Sequence, residues 1–420
     1  MNSLSPLSPK PGFRAMLALD CAAWLALAFP AGLPAGDWTQ FRGPAGNGVT
    51  LDPDLPTHLD PGRNIAWKVA LPGRGLSSPV IVGDRAFVTS ASGPSQQRLH
   101  VVCFSTKDGS KVWERQFWAT GRTMTHEKTC VAASTPVSDG ERLYALYSSN
   151  DLVCLDLDGN LVWLRGLTLD YPNASNSLGM SSSPTIAGGA LIVQIENDSE
   201  SFAAGLDLRT GINLWKTDRP KAANWTSPQT MAVPRSAQTV VALQSSKGIH
   251  AIDPATGKVI WHFDNGASTI PSSASSDDIL FVPSNGITAL KSSNDGKSFE
   301  ELWQSSQLRP DTASPLVLHE RVYILNSAGI LSCGHAMTGD RLWQLRLTGP
   351  FSASPVTAGN YLYLVNEKGL VQVIEPAGKG GGGELVSSLD LQETILSTPS
   401  IARGAIFIRS DNHLWKLTKG

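Results

Sequence analysis

The segment 115–133 carries side chains that could bind a polar ligand. It reads RQFWATGRTMTHEKTCVAA and brings an aromatic ring, two cations, an imidazole and a carboxylate close together in sequence, at Trp118, Arg122, His126, Glu127 and Lys128. Binding residues are common in long loops on a rigid scaffold. The neighbouring His and Glu do not form a metal motif by themselves, and the other histidines are scattered. These five residues are candidates for ligand binding; the alternative is a solvated loop without a ligand.

A second polar group follows a predicted strand at IENDSE, residues 195–200. Glu196, Asn197 and Asp198 offer carboxylate and amide oxygens, which are the ligands that Ca²⁺ prefers. The same residue types are typical of a polar turn between two strands, and the sequence favours the turn over the metal site. We therefore keep two interpretations of these three residues, a polar turn and a metal site.

The cysteines do not have the spacing of a metal or haem site. The sequence contains five, with no C-x-x-C and no adjacent pair. Cys103, Cys154 and Cys333 each lie nine or ten residues before a Trp, and Gly205 and Ala251 occupy the same place in other segments. Small size is the shared property, so we predict that these thiols pack as small apolar groups.

The elements that must position these residues repeat along the chain. A turn dipeptide ending in Gly precedes a Trp by four residues in five places, and Asp295-Gly296 with Trp303 is a looser copy. The five copies are Asp108-Gly109 with Trp113, Asp158-Gly159 with Trp163, Thr210-Gly211 with Trp215, Thr256-Gly257 with Trp261, and Thr338-Gly339 with Trp343. The interval between successive Trp residues is about 40–52 residues, which is typical of propeller blades with four strands each.

A second marker gives the number of blades. A small hydroxyl residue followed by Pro begins each unit, because the innermost strands converge on one axis and Pro is tolerated at the first residue of a strand. The copies are Ser78-Pro79, Thr135-Pro136, Ser183-Pro184, Ser227-Pro228, Ser314-Pro315, Ser354-Pro355 and Thr398-Pro399, with a degenerate copy at Pro271-Ser272-Ser273. We predict an all-β, eight-bladed β-propeller of four-stranded antiparallel blades.

The last two units depart from the repeat. After Thr398-Pro399 the sequence has room for three strands, whereas the segment 64–73 carries Trp67 with no blade before it. We predict that this N-terminal strand completes the last blade and removes an exposed edge. The seventh unit has GKGGGG (378–383) in place of the turn and lacks the Trp.

The segments AIDPATGKVIW (251–261) and GLDLRTGINLW (205–215) resemble the tryptophan-docking motif of the quinoprotein family, A-x-D-x-x-T-G-x-x-x-W. The resemblance covers about 64–420, and DWTQFRGPAGNGVT (37–50) resembles the opening of BamB-like secreted bacterial proteins of the PQQ-like propeller class. It implies that the motif Trp of each blade packs on the neighbouring blade. The residues concerned are Trp67, Trp113, Trp163, Trp215, Trp261, Trp303 and Trp343.

This resemblance implies two kinds of function. Some family members bind pyrroloquinoline quinone (PQQ) with calcium, whereas others are non-catalytic scaffolds of outer-membrane assembly. Quinoprotein alcohol dehydrogenases carry a disulfide between adjacent cysteines over the cofactor, and no two cysteines are adjacent here. We therefore favour a non-catalytic binding or interaction scaffold with a protein or peptide partner, in cell-envelope assembly. The alternative is a PQQ- and calcium-dependent dehydrogenase that oxidises an alcohol or sugar.

The first 36 residues have the pattern of a secretory signal peptide. Lys10 and Arg14 precede an apolar stretch and small residues, and cleavage is expected near Ala35 or Gly36. Asp20 stands before Cys21, where a lipidation site needs a small residue. We therefore expect an exported protein, periplasmic or secreted; the residue before Cys21 argues against a lipidation site, and lipid anchoring at Cys21 is left open.

The rest of the chain divides into an N-terminal arm (37–63), predicted to lie across one face, and the propeller (64–420). The net charge is −2 with no basic run, which argues against nucleic acid as a partner. No segment has the apolar length of a stable membrane span. A closed propeller needs no second copy for stability, so a monomer is expected.

Overall fold

The computed structural model describes residue 1 and residues 36–50, 55–175, 178–236, 238–378 and 380–420. The predicted signal peptide and Cys21 lie outside the described residues, apart from Met1 and Gly36. The other described residues belong to one compact unit, Pro34–Gly420.

In this part of the chain the strands form eight sheets, each with four antiparallel strands, which we number as blades 1–8 in the order of their inner strands. The inner strands are Val80–Val82, Val137–Ser138, Thr185–Ala187, Gln229–Ala232, Ala274–Ser276, Leu316–Leu318, Val356–Ala358 and Ser400–Ala402. The second strands are Arg85–Ser92, Arg142–Leu146, Ala190–Ile195, Thr239–Ser245, Ile279–Ser284, Arg321–Leu325, Tyr361–Val365 and Ala405–Arg409.

The two remaining positions of each blade carry the third and outer strands. The third strands are Arg98–Ser105, Asp151–Asp156, Phe202–Asp207, Gly248–Ile252, Gly286–Ser292, Ile330–His335, Leu370–Glu375 and His413–Leu417. The outer strands of blades 1–7 are Lys111–Trp118, Leu161–Gly166, Asn213–Asp218, Val259–Phe263, Phe299–Ser305, Arg341–Arg346 and Glu384–Asp390. The predicted eight-bladed propeller is confirmed.

Blade 8 is completed from the other end of the chain. Its outer strand is Ile65–Ala70, which pairs antiparallel with His413–Leu417 and places Val69 opposite Leu414. The predicted closure by an N-terminal strand is confirmed. The one helix in the described residues is the short Leu167–Asp170, and none there is long and apolar enough to cross a membrane.

In six blades the motif Trp docks over a Gly of the next blade, whereas Trp261 packs against Phe299 of the next blade, with the ring centroids 5.0 Å apart. The indole of Trp113 in blade 1 lies over Gly159 of blade 2, where an added Cβ would come within 2.7 Å of the ring, and its Nε1 donates to Leu157 O at 2.9 Å. The turn also needs a positive φ at Gly159, 82°. The same stacking joins Trp67 to Gly109, Trp163 to Gly211, Trp215 to Gly257, Trp303 to Gly339 and Trp343 to Gly383.

A small residue faces the Trp on the third strand of the same blade. Cys103, Cys154 and Cys333 are the cross-strand partners of Trp113, Trp163 and Trp343. In blade 3 the partner of Trp215 is Gly205, where a Cβ would lie 2.2 Å from the indole Nε1. All three thiols are free and buried, and burial raises the pKa of Cys103 and Cys154 to about 12. These cysteines therefore pack as small neutral groups.

Residues 37–50 of the arm, which we call the plug, close one end of the central channel. Within this segment Trp38 and Arg42 are buried, and Val49–Thr50 pairs in parallel with the inner strand of blade 7. From blade 1 to blade 8 the contacts are Trp38 with Ile81, Thr39 with Ser138, Gln40 with Thr185, Ala45 with Gln229, Arg42 with Ser273 and Pro315, Val49 with Thr357, and Asp37 with Arg403.

The arm then continues to the junction of blades 7 and 8, where the docking Trp is missing. Ser387 of blade 7 occupies the Trp register, opposite Val373. Its hydroxyl donates to Thr57 O at 2.8 Å and accepts from Leu59 N at 3.2 Å. Leu55 is buried in the same core cluster as Trp67. Arm residues thus cover the junction that lacks an indole.

Candidate functional site

A ring of hydroxyl residues surrounds the end of the channel opposite the plug. The residue that begins each blade donates its backbone N–H to the side-chain oxygen of the next blade's residue, at 2.9–3.0 Å in seven successive bonds. We call these residues the hydroxyl ring: Ser78, Thr135, Ser183, Ser227, Ser272, Ser314, Ser354 and Thr398. The ring joins neighbouring blades at the axis, as the indoles do near the rim.

The ring is incomplete at the seam between blades 8 and 1. Ser78 is 1% exposed, and its Oγ has no hydrogen-bond partner in the part of the chain that the structure describes. Other bonds close this seam: the Ser400 hydroxyl donates to Pro79 O, and the buried Arg409 donates to the Ser77 hydroxyl. Burial also lowers the pKa of Arg409. Ser78 therefore differs from the other ring residues because the fold makes no use of its hydroxyl.

Above the hydroxyl ring, a second tier of residues lines a cavity of about 410 Å³, the funnel. Each member of this upper tier precedes a ring residue by two positions: Leu76, Ala133, Ser181, Trp225, Ile270, Thr312, Ser352 and Leu396. Phe41 from the plug also lines the cavity, so the plug supplies its floor. The volume is within the range of small-molecule sites, about 300–1,000 Å³. The upper tier is mainly apolar.

Two long loops meet beside the funnel. His126 N, in the loop after blade 1, donates to Leu178 O in the loop after blade 2 at 2.8 Å. The indole N–H of Trp225 donates to Gly179 O at 2.8 Å, which holds this aromatic ring against the second loop. The loops are thus tied to each other and to the upper tier.

The five loop candidates do not all come together. His126 and Lys128 line the funnel. Trp118 ends the outer strand of blade 1, is 64% exposed, and lies under the Arg98 guanidinium at 5.4 Å. Arg122 is exposed and contacts the Met124 sulfur, whereas Glu127 is exposed and accepts from Arg74 through its backbone oxygen. Two of the five predicted side chains therefore line the funnel. A role of all five in ligand binding stays a prediction.

The three metal candidates are engaged in other contacts. Glu196 is buried and accepts from Arg219 Nε at 2.6 Å and from Asn224 Nδ2 at 2.9 Å. Burial raises the pKa of Glu196 against the opposing effect of Arg219. The Asn197 side chain bonds within its own turn, and Asp198 is exposed. Across the described residues no group of three His, Cys, Asp or Glu side chains is placed to hold a metal ion.

The hydroxyl ring was not singled out as a site from the sequence, although its residues marked the start of each blade. As small residues they also suit a crowded axis. All eight are Ser or Thr, and none is Gly or Ala. That restriction to hydroxyl side chains is the signal that could have indicated a polar role, because size alone would also permit Ala.

Eight four-stranded blades with indole-to-glycine docking define the class as a quinoprotein-type β-propeller. A family described as outer membrane protein assembly factor BamB matches residues 57–178, 101–276, 284–381 and 328–420. Because these matches cover most of the chain, the chain belongs to this PQQ-like propeller family.

Two curated relatives share part of the sequence, and both are named polyvinylalcohol dehydrogenase. The protein from Pseudomonas sp is 29% identical over 184 residues, covering 40% of this chain and 26% of the relative. The protein from Sphingopyxis sp. (strain 113P3) is 25% identical over 272 residues, covering 54% of this chain and 39% of the relative. The chain therefore spans less than half the length of either relative.

Solved structures with the same fold include BamB and two dehydrogenases named for methanol and alcohol. BamB from Moraxella catarrhalis has a TM-score of 0.62 at 18% identity, covering 84% of this chain and 97% of that chain. A europium-containing methanol dehydrogenase has a TM-score of 0.71 at 12% identity, covering 91% of this chain and 98% of that chain. Quinohemoprotein alcohol dehydrogenase from Comamonas testosteroni has a TM-score of 0.69 at 13% identity, covering 93% of this chain and 82% of that chain. At these identities the likeness shows the fold alone.

The residues of the funnel do not fit a calcium-bound PQQ. Calcium prefers carboxylate and carbonyl oxygens, and the funnel lining contains neither Asp nor Glu. Glu367 lies outside the lining but contacts two of its residues: it accepts from the Ser352 hydroxyl at 2.7 Å and from Lys128 Nζ at 3.2 Å. The donor set of the funnel is hydroxyl, imidazole and ammonium, which is suited to a ligand with acceptor oxygens.

Proposed function

We propose that this protein is an exported, non-catalytic propeller that serves as a binding scaffold in the cell envelope, with a protein or peptide partner held at the funnel face. The observation that carries the proposal is the chemistry of the funnel, where hydroxyl and apolar side chains surround a cavity without a lining carboxylate. Such a surface can bind but has no general base of the carboxylate type. The family description, an outer membrane assembly factor, supports the envelope setting.

The partner test uses the full chain with a photo-crosslinking amino acid at one position at a time. Position 122 lies on the loop beside the funnel, and position 385 lies on the outer strand of blade 7, where Leu385 is exposed. We expect crosslinks to one envelope protein from position 122 and none to it from position 385. Equal crosslinking from both positions would contradict a specific funnel-face partner.

The second candidate is a PQQ- and calcium-dependent dehydrogenase acting on an alcohol or sugar. The two relatives named polyvinylalcohol dehydrogenase favour it, whereas the lack of a lining carboxylate counts against it. Calorimetric titration of the purified protein with PQQ and calcium separates the two functions. Under the scaffold proposal no saturable heat is expected. Micromolar or tighter binding that a chelator abolishes would overturn the scaffold proposal in favour of the enzyme.

A further inference from the structure

The hydroxyl ring has hydrogen-bonding capacity that the fold leaves unused. A hydroxyl has one O–H donor and two acceptor lone pairs. Seven ring oxygens each accept one N–H from the preceding blade, and among the described residues no acceptor receives their own protons. Ser78 lacks even that bond, although it is nine-tenths or more buried and lines the cavity. Eight O–H donors therefore converge at the throat of the funnel.

A molecule that reaches this throat must bring acceptor atoms. A purely apolar group would displace water and leave buried donors unpaired, which is costly for each donor. The ring oxygens keep lone pairs, but the lining has no carboxylate to balance the charge of a cation. Its two ionisable residues, His126 and Lys128, are donors, and the Lys128 ammonium is already paired with Glu367 outside the lining. Nδ1 of His126 accepts from Lys128 N at 3.1 Å, which leaves the Nε2 proton available for donation. An acceptor-bearing, negatively charged head group suits this surface.

The upper tier indicates what the rest of the ligand must be. Leu76, Trp225, Ile270 and Leu396 place apolar surface directly above the ring. The floor is closed by Phe41, so a chain can enter by one end but cannot thread through the channel. A carboxylate offers about four acceptor positions to the ring, and charge-assisted bonds of this type are roughly twice as strong as neutral ones.

We propose that the funnel binds a carboxylate on an apolar aliphatic body, with the carboxylate against the hydroxyl ring and the body against the upper tier. This inference rests on the proposed binding function, since it specifies the ligand chemistry of the same face. A free aliphatic acid and the C-terminus of a peptide ending in an apolar residue share this chemistry.

The test is calorimetric titration of the full chain with octanoate, octanol and octylamine, and with a short peptide ending in Leu as the free acid and as the amide. We expect octanoate to bind and octanol and octylamine to bind at least tenfold more weakly. Binding of the free-acid peptide but not its amide would identify a peptide C-terminus as a source, whereas octanoate alone would identify an aliphatic acid. Equal binding of octanol or octylamine, or no binding of either carboxylate, would overturn the proposal.

Two substitutions at the same seam show whether the ring makes the contact. Ser78→Ala removes a donor that the fold does not use, so we expect unchanged thermal stability and octanoate binding about threefold to tenfold weaker. Ser400→Ala, whose hydroxyl donates to Pro79 O outside the funnel lining, should lower stability and leave binding unchanged. Unchanged binding in Ser78→Ala would overturn the ring contact. If neither carboxylate binds but position 122 still crosslinks to one envelope protein, this inference is wrong and the proposed scaffold function stands. If PQQ binds with calcium, the proposed scaffold function itself is wrong.

Discussion

The two ends of the central channel are built from the same eight inner strands but close in different ways. At the plug end, one stretch of chain carries large buried side chains that reach different blades, such as Trp38 against blade 1 and Arg42 against blades 5 and 6. At the funnel end, each blade contributes one small hydroxyl, and the ring leaves a cavity above it.

The difference teaches how one scaffold can combine rigidity and a binding site. The plug fills its end of the channel with the protein's own atoms and therefore contributes to stability there. The hydroxyl ring joins the blades through short side chains, so the axis stays open enough for a ligand. Stability and binding should therefore respond to different substitutions at the two ends.

The largest expected effect tests the plug. Trp38→Ala should destabilise the protein by about 3–5 kcal/mol, because Trp38 is fully buried and its removal leaves a cavity in the core that it shares with Ile81. The measurement is the free energy of unfolding in urea. The matched control is Trp118→Ala at the exposed strand end, expected to change stability by less than about 0.5 kcal/mol. Similar losses of unfolding free energy in the two variants would show that the plug does not stabilise the propeller.

An intermediate effect tests the ring as a structural element. Thr398→Val keeps the side-chain shape but removes the acceptor for Ser354 N, leaving a buried N–H unpaired at a cost of about 1–3 kcal/mol. Urea unfolding of this variant is compared with Ser78→Ala, which removes no hydrogen bond within the protein. Equal stability of the two variants would contradict a supporting role for the ring bonds.

The smallest effect concerns a thiol on the funnel side. Burial raises the pKa of Cys130 from 9.0 to about 12, so the folded protein keeps this proton when the unfolded chain loses it. Stability should therefore fall as pH rises above about 9, by up to about 1.4 kcal/mol per pH unit for this group.

The measurement is the free energy of unfolding of the wild type and of Cys130→Ala at pH 8 and pH 10. The wild type should lose about 1 kcal/mol more than the variant over this interval. An equal loss in both proteins would show that the buried thiol titrates normally. The plug contains no cysteine, so the difference in pH dependence between the wild type and Cys130→Ala should be the same when Trp38→Ala is added to both.

The blade count, the closing strand and the position of the docking indoles could be predicted from sequence because they repeat. A Gly-to-Trp spacing that recurs, and a Ser-Pro or Thr-Pro start that recurs, are local patterns that every blade must satisfy. The slot shared by Cys103, Gly205 and Ala251 also follows from repetition, since equivalent positions face equivalent indoles.

The candidate site was less predictable because it depends on contacts between distant segments. Among the loop residues, His126 and Lys128 reach the funnel while Trp118 does not, and no local pattern separates them. Glu196 offered oxygens suited to calcium, yet its oxygens are bonded to Arg219 and Asn224, which lie on later segments. The course of a long loop depends on which backbone groups find partners across the fold.

The sequence by itself determined the fold class, the eight blades and the strand that closes the ring, because each follows from local spacing and turn chemistry. Only the tertiary structure decided that residues 37–50 fill one end of the channel and that eight hydroxyls meet at the other. The physical reason is that seven of the eight ring hydroxyls accept a hydrogen bond from a residue 40–57 positions away, and the plug reaches all eight blades, so neither arrangement exists until the ring of blades has closed.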